Sequence, residues 1–265
     1  MITSIGFNTI LTKNYLDLAN ILIESIIKYS KYNITINCIN FSYNFNNNRV
    51  KSNTINLDTL NWNNICMAKW LSMKKIPYDI TLMIDCDMIA LPNVDNIFDE
   101  NFQKIQTSKF PLFCKHPHDP FTNPNHKDHL NFLINNFTNK IPKMKYVYAH
   151  GIFSKNHQYF IDELIDNIPK YMQYTPFCGD EGILNILLTK HQVDYDIEYN
   201  YMPNTDLIDA YIDPDHNYDS IYESYLKYDC PVKFYFLHGC KDPNRAKFIY
   251  QQIKYKNEKN CYFKH

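Results

Sequence analysis

The chain has 265 residues, 45% of them hydrophobic, which is ample to bury a core as one large domain or two small ones. A formal net charge of -1 excludes a broad basic field for nucleic acid or an anionic membrane surface, so any phosphate binding has to be local. No apolar run approaches the roughly 20 residues that span a bilayer, and the N-terminus has neither a charged n-region nor a small-residue cleavage site, so a soluble protein without a transmembrane segment is expected.

Taken in order, Ser4–Phe7 reads as a first short strand, and Asn14–Tyr29 places apolar residues at 16, 19, 22, 23, 26 and 27, which is helical spacing. Asn33–Phe41 alternates and reads as a second strand. Asn44–Asn64 is polar and rich in Asn, hence loop. Ile65–Met73 reads as a helix bearing Lys69 and ended by Ile76-Pro77. Ile80, Leu82, Met83 and Ile84 then form an apolar run, expected as a strand buried on both faces. Strand, helix, strand, helix, strand in this order argues for a parallel sheet covered by helices.

Further strands are expected at Phe110–Cys114, Tyr146–Phe153, Val193–Tyr199 and Val232–Leu237, and helices at Asn156–Tyr171, from Gly179 onward and at Asn244–Tyr255. Met202–Tyr228 is a long acidic, Tyr-rich stretch. The segment 115–129 collects His116, His118, His126 and His129 among Pro and Asn; these spacings match no zinc pattern, so it reads as a surface loop, with acceptor binding as its functional alternative. No Pro/Gly/Ser-rich linker divides the chain and no repeat is visible, so 1–265 is read as a single domain.

The eight Cys (38, 66, 86, 114, 178, 230, 240, 261) show no metal-finger spacing and mostly sit in apolar runs, which reads as reduced thiols in a cytoplasm-like compartment. Asn, Ile, Lys and Tyr are abundant while Arg occurs only at 49 and 245, the signature of an AT-rich coding genome. A microbe, a parasite or a large DNA virus is the expected source, with the host cytoplasm as the compartment if viral. The 22 Tyr therefore need no functional explanation.

The chemistry begins where the buried strand ends, in Asp85-Cys86-Asp87. Two more Asp-x-Asp pairs occur, Asp194 with Asp196 and Asp213 with Asp215, but only the first closes a fully apolar strand, where open α/β sheets place their ligands. An unpaired buried carboxylate costs several kcal/mol, so a pair there implies a cation, a hydrogen-bonding partner or a wet crevice. On an extended segment the two side chains would point the same way and share one metal ion. The last strand ends in His238-Gly239-Cys240-Lys241. If the two strand ends meet, Asp85, Asp87 and His238 form an oxygen and nitrogen shell suited to Mn2+ or Mg2+, with Lys241 as a second positive charge and Gly239 allowing close backbone approach to phosphate. Asp180, in the first turn of its helix, is by itself best explained by dipole complementarity.

These motifs together resemble the glycogenin-like glycosyltransferases of family 8. The passages that carry the likeness are AKWLSMKKIPYDITLMIDCDMIALPNVDNIFD at 68–99 and GDEGILN at 179–185. The resemblance implies a single GT-A (Rossmann-like) domain of α/β class, with a mostly parallel central sheet flanked by helices, a nucleotide-binding half at about 1–100 and an acceptor-side half at about 101–265. It implies a metal-dependent enzyme moving a hexose from a UDP-sugar to an acceptor hydroxyl with retention of anomeric configuration, by front-face attack in which the leaving phosphate helps deprotonate the acceptor. Asp85 and Asp87 would then bind the ion and the ribose-diphosphate, His238 would be the third ligand, and Lys241 and Gly239 would meet the diphosphate. Lys69 would contact the donor, Thr9 and Tyr15 would line the uridine pocket, and Asp180 would lie beside the sugar. The acceptor, whether glycan, protein or small molecule, is left open, as are self-glycosylation and a homodimer.

Two departures stand out. Ala149-His150-Gly151 occupies the place where the family has Asn-Ser-Gly, and the late His, Gly and Lys are compressed, in a form similar to the glycosyltransferase domains of collagen-modifying enzymes. Two other readings accompany this one. A haloacid-dehalogenase-like phosphatase would use Asp85 as nucleophile and Asp87 as acid/base, although that family wants Thr or Val where this chain has Ile89. The other is an inactive sugar-nucleotide-binding or scaffold protein.

Overall fold

A computed structural model describes residues 4–115, 131, 135–136, 147–172, 179–191, 207–209, 233–237 and 242–262. The elements are β1 (Ile5–Leu11), α1 (Leu16–Tyr29), β2 (Asn33–Ile39), β3 (Val50–Ile55), α2 (Trp62–Leu71), β4 (Ile80–Met83), β5 (Met88–Ala90), α3 (Asn96–Thr107), β6 (Leu112–Lys115), β7 (Val147–Ser154), α4 (Gln158–Tyr171), α5 (Gly179–Lys190), β8 (Leu207–Asp209), β9 (Phe234–Phe236) and α6 (Pro243–Tyr262). Six strands form one sheet in the order β3-β2-β1-β4-β7-β6, and β5-β9-β8 form a second. The first four are mutually parallel, while β7 runs antiparallel to both β4 and β6. The expected mostly parallel α/β sheet is thus present, with one reversed strand inserted beside β4.

The apolar run at 80–83 is buried at every position, as expected of a strand covered on both faces. Helix α1 covers one side of the sheet with Ala19, Leu22, Ile23 and Ile26. It also steers the chain after the aspartates: Ser25 Oγ accepts the N–H of Ala90 at 2.9 Å, which ties β5 to the helix. On the other side, Trp70 of α2 packs with Phe153, Phe160 and Leu187 in a second cluster. Gly151 is required there. A Cβ at that position would lie 2.8 Å from both the Leu112 carbonyl oxygen and the Phe113 ring, so a side chain on β7 would push β6 away.

Three parts of the sequence reading change. Asn44–Asn64 is not all loop, because β3 lies within it, paired in register with β2 from Ile34↔Val50 to Ile39↔Ile55. Lys51 to Thr54 are exposed, so this edge strand carries no apolar alternation to betray it. Helix α2 starts at Trp62, where the side chain of Asn61 accepts the N–H of Asn64 at 2.8 Å and caps it. Helix α3, which falls between the expected elements, buries Ile97, Phe98, Asn101 and Ile105 at helical spacing. The strand expected at Val193–Tyr199 and the segment 116–129 lie outside the described residues.

His157, between β7 and α4, ties the end of β7 to the end of α3. Its Nδ1 accepts the N–H of Ser154 at 3.2 Å, and its Nε2 lies 3.0 Å from the Ser108 carbonyl, so Nε2 carries the hydrogen. Burial lowers its pKa below the ordinary 6.5, with the Ser108 bond opposing. The unfolded chain therefore takes up a proton that the folded chain refuses. Stability supplied by neutral His157 is complete above about pH 6.5 and is lost as pH falls through the lower folded value. His157→Gln keeps an acceptor and a donor without titrating. Urea midpoints taken at about pH 7 and pH 5 are expected to fall less for this variant than for the wild type; an equal fall would remove His157 from the acid response.

Candidate active site

The site lies at the carboxyl end of β4, where α2 and β7 converge on the Asp85 carboxylate and α5 meets them through Lys69. Lys69, on the inner face of α2, places Nζ 2.7 Å from Asp85 Oδ1 and 3.3 Å from Asp180 Oδ2, the latter in the first turn of α5. From β7, His150 Nε2 lies 2.7 Å from Asp85 Oδ2. The Lys69 side chain is 6% exposed and that of His150 4%, whereas Asp85 is 30% exposed, so the carboxylate forms the open end of a buried cluster.

Helix α5 is fixed by Asn185, whose Oδ1 accepts the N–H of Val147 and whose Nδ2 donates to the carbonyls of Val147 and Glu181. The Asn of the GDEGILN passage is thus a clamp between helix and strand, and it sets where Asp180 and Glu181 stand. The turn after Asp85 is held from the far sheet. Leu237, just past β9, donates its N–H to the Asp87 carbonyl at 2.8 Å, continuing the β5–β9 pairing.

Charge is unevenly distributed here. Burial opposes the charge of Lys69, but Asp85 and then Asp180 outweigh it and raise the pKa. Burial likewise opposes ionisation of Asp85, yet Lys69 and then His150 hold the carboxyl below the usual range. At Asp87 the balance reverses: burial, and then the Asp85 charge, push it up to about 7 against the weaker opposing pull of a backbone hydrogen bond and Lys69. Burial, with Asp180 next, also drives Glu181 well above the ordinary range. Four carboxyls thus surround one lysine, and two of them resist ionising. Burial and then Asp87 raise the phenol of Tyr15, which sits in a short 3-10 turn after β1.

No family model matches the sequence, and no curated protein matches it. Solved structures do. The chain is similar to the galactosyltransferase LgtC in complex with donor and acceptor sugar analogs, at 12% identity and TM-score 0.61, over 93% of this chain and 95% of that one. An active-site mutant of LgtC matches at 11% identity with the same TM-score and coverage. The fold is that of the GT-A glycosyltransferases. The apo bifunctional glycosyltransferase WbbM matches at 14% identity and TM-score 0.57, over 89% of this chain but 46% of WbbM, so this chain spans about half the length of that protein.

Within this GT-A fold the expected site residues separate into three groups. Lys69, Asp85 and Asp180, far apart in sequence, are in direct contact, with Asp87 and Tyr15 beside them. Thr9 is 1% exposed inside β1, with its hydroxyl donating to the Ile10 carbonyl. His238, Gly239 and Lys241 lie outside the described residues. One expectation is corrected: the segment joining Asp85 to Asp87 is a turn rather than extended chain, so the alternation that would aim both carboxylates one way does not apply.

Among the described residues no group of three or more His, Cys, Asp or Glu is arranged to hold a metal ion. The donor chemistry nevertheless fits a hard divalent cation, because clustered carboxyls that burial pushes toward protonation gain most from one. The sequence reading passed over two residues of the cluster, His150 and Glu181. The first lay in the segment that departs from the family pattern, and the second directly follows Asp180. Cys38, Cys66, Cys86 and Cys114 are free thiols, and among the described residues no helix is long and apolar enough to cross a membrane.

Proposed function

We propose that this protein is a metal-dependent glycosyltransferase, similar to the glycogenin-like family 8, which moves a hexose from a UDP-sugar to an acceptor hydroxyl with retention of configuration. The observation that carries this reading is the excess of half-buried carboxyl groups around the buried Lys69 at the ligand-binding edge of a GT-A fold. The donor and acceptor analogs named with LgtC support sugar transfer as the chemistry.

Asp87 and Asp85 would hold Mn2+ or Mg2+, with His238, the residue after Leu237, as third ligand; Leu237 is bonded to Asp87 through its backbone. When bound, such a cation supplies Lewis-acid charge at the departing diphosphate. Lys69 has three N–H donors, of which Asp85 and Asp180 engage two, leaving one for the donor. Lys241 and Gly239 would meet the diphosphate and Tyr15 would border the base, while Thr9, buried in β1, would support that wall without touching the ligand. Asp180 orients the sugar and steadies positive charge developing at the anomeric carbon.

Calorimetry with UDP in the presence and absence of Mn2+, followed by a UDP-release assay over a panel of sugar donors, tests the reading. Mn2+-dependent binding with turnover of at least one donor is expected; binding without turnover on any acceptor would favour a scaffold protein. Asp180→Asn is expected to retain UDP binding and to lower turnover by about 10²-fold or more, as loss of one transition-state stabiliser does. Unchanged turnover in that variant would exclude Asp180 from the mechanism.

A further inference from the structure

His150 is the residue at which the chain departs from the family pattern and at which the structure supplies an unexpected partner. It belongs to β7, one residue before Gly151, which pairs with Met83 at the end of β4. Its imidazole is buried against the Tyr148 ring, with centroids 5.8 Å apart, and its Nε2 meets Asp85 Oδ2 at 2.7 Å. Asp85 is ion-paired to Lys69 through its other oxygen at 2.7 Å and so accepts here, which places the hydrogen on Nε2.

A fastener between strands is an inadequate account of this bond. Four consecutive pairs, from Ile80↔Ser154 to Met83↔Gly151, already join β4 to β7. Charge compensation is also provided, since Lys69 lies 2.7 Å from the other oxygen. What Lys69 cannot provide is orientation. The last torsion of an aspartate is soft, and a lysine on a four-carbon stem follows the carboxylate wherever it turns. Two donors, one on each oxygen and from different elements, fix the plane. Each carboxylate oxygen has two lone pairs, so one on each remains for a ligand at the exposed side.

We propose that His150 is a positioning residue of the donor site, which locks the Asp85 carboxylate in the orientation that receives the cation and diphosphate. The proposal rests on the glycosyltransferase reading for the identity of the ligand, but not for the His150–Asp85 bond itself. Two variants separate positioning from bulk: His150→Gln retains an N–H donor, and His150→Leu retains volume without one.

Calorimetry of UDP with Mn2+ is expected to show affinity weakened about 10-fold or more in His150→Leu and within about 3-fold of wild type in His150→Gln, as for other residues that orient a ligand group. Both variants should melt within a few degrees of wild type. Wild-type affinity in His150→Leu, or equal weakening in both, would overturn the proposal. Should His150→Leu fail to fold, nitrogen NMR of the imidazole in ligand-free protein decides. The His150 Nε2 resonance must shift in Asp85→Asn, and an unmoved resonance would overturn the proposal. A wild type that binds neither UDP nor Mn2+ would defeat the glycosyltransferase reading, while the NMR comparison still tests the bond.

Discussion

Lys69→Met is expected to lose about 3 kcal/mol or more of folding stability near neutral pH, because removing one partner of a buried ion pair leaves the other uncompensated. Here one ammonium serves two carboxylates, at 2.7 and 3.3 Å, inside a cluster where the lysine itself is 6% exposed. The loss should depend on pH in a defined direction. Lys69 holds Asp85 below its ordinary value of 3.8, so the stability it confers is present above that value and is lost as pH falls through the folded pKa. The gap between wild type and variant is therefore wide at neutral pH and narrows on acidification. Urea unfolding of Lys69→Met, Asp85→Asn and the double variant checks this. The double variant should be more stable than Lys69→Met, and additive losses would show that the ammonium and the carboxylate are not coupled.

Asp87→Asn should produce the opposite combination, a more stable chain that no longer binds UDP with a cation. Asp87 is raised from 3.8 to about 7 by burial and then by Asp85. Below 3.8 the group is protonated whether folded or unfolded and costs nothing. Between 3.8 and about 7 the unfolded chain ionises while the folded chain holds its proton, so stability declines with rising pH. Above about 7 the folded protein carries the full penalty, on the order of 2 to 4 kcal/mol. Asparagine removes that ramp. In cation-free buffer the variant should gain on wild type more at about pH 8 than at about pH 5, and calorimetry should find no Mn2+-dependent UDP binding. Such an exchange of stability for function is usual where a site is built from groups that repel each other. Retained Mn2+-dependent binding would move the ligand role away from Asp87.

How much of this was legible beforehand differs from element to element. The apolar run at 80–83 and the helical spacing at 16–27 are long-period signals of burial, and both elements are present. Strand β3 escaped because an edge strand is held by backbone pairing, and its exposed Lys51, Ser52, Asn53 and Thr54 leave no pattern to read. Helix α3 could have been read from Ile97, Phe98 and Ile105 but was overshadowed by the aspartates upstream. In the site, Asp85 was marked by its place at the end of an apolar strand, and Lys69 and Asp180 by the family resemblance. Their contact was not, since 16 residues separate Lys69 from Asp85 and 111 separate it from Asp180.

By itself the sequence determined the class of fold and the carboxyl-rich strand end, because burial and periodicity are written locally in side-chain type and spacing. Tertiary structure alone decided that Lys69 bridges two acids, that His150 bonds Asp85, and that Asp87 and Glu181 resist ionising. These are properties of distance and desolvation between residues remote in the chain, which no local pattern encodes.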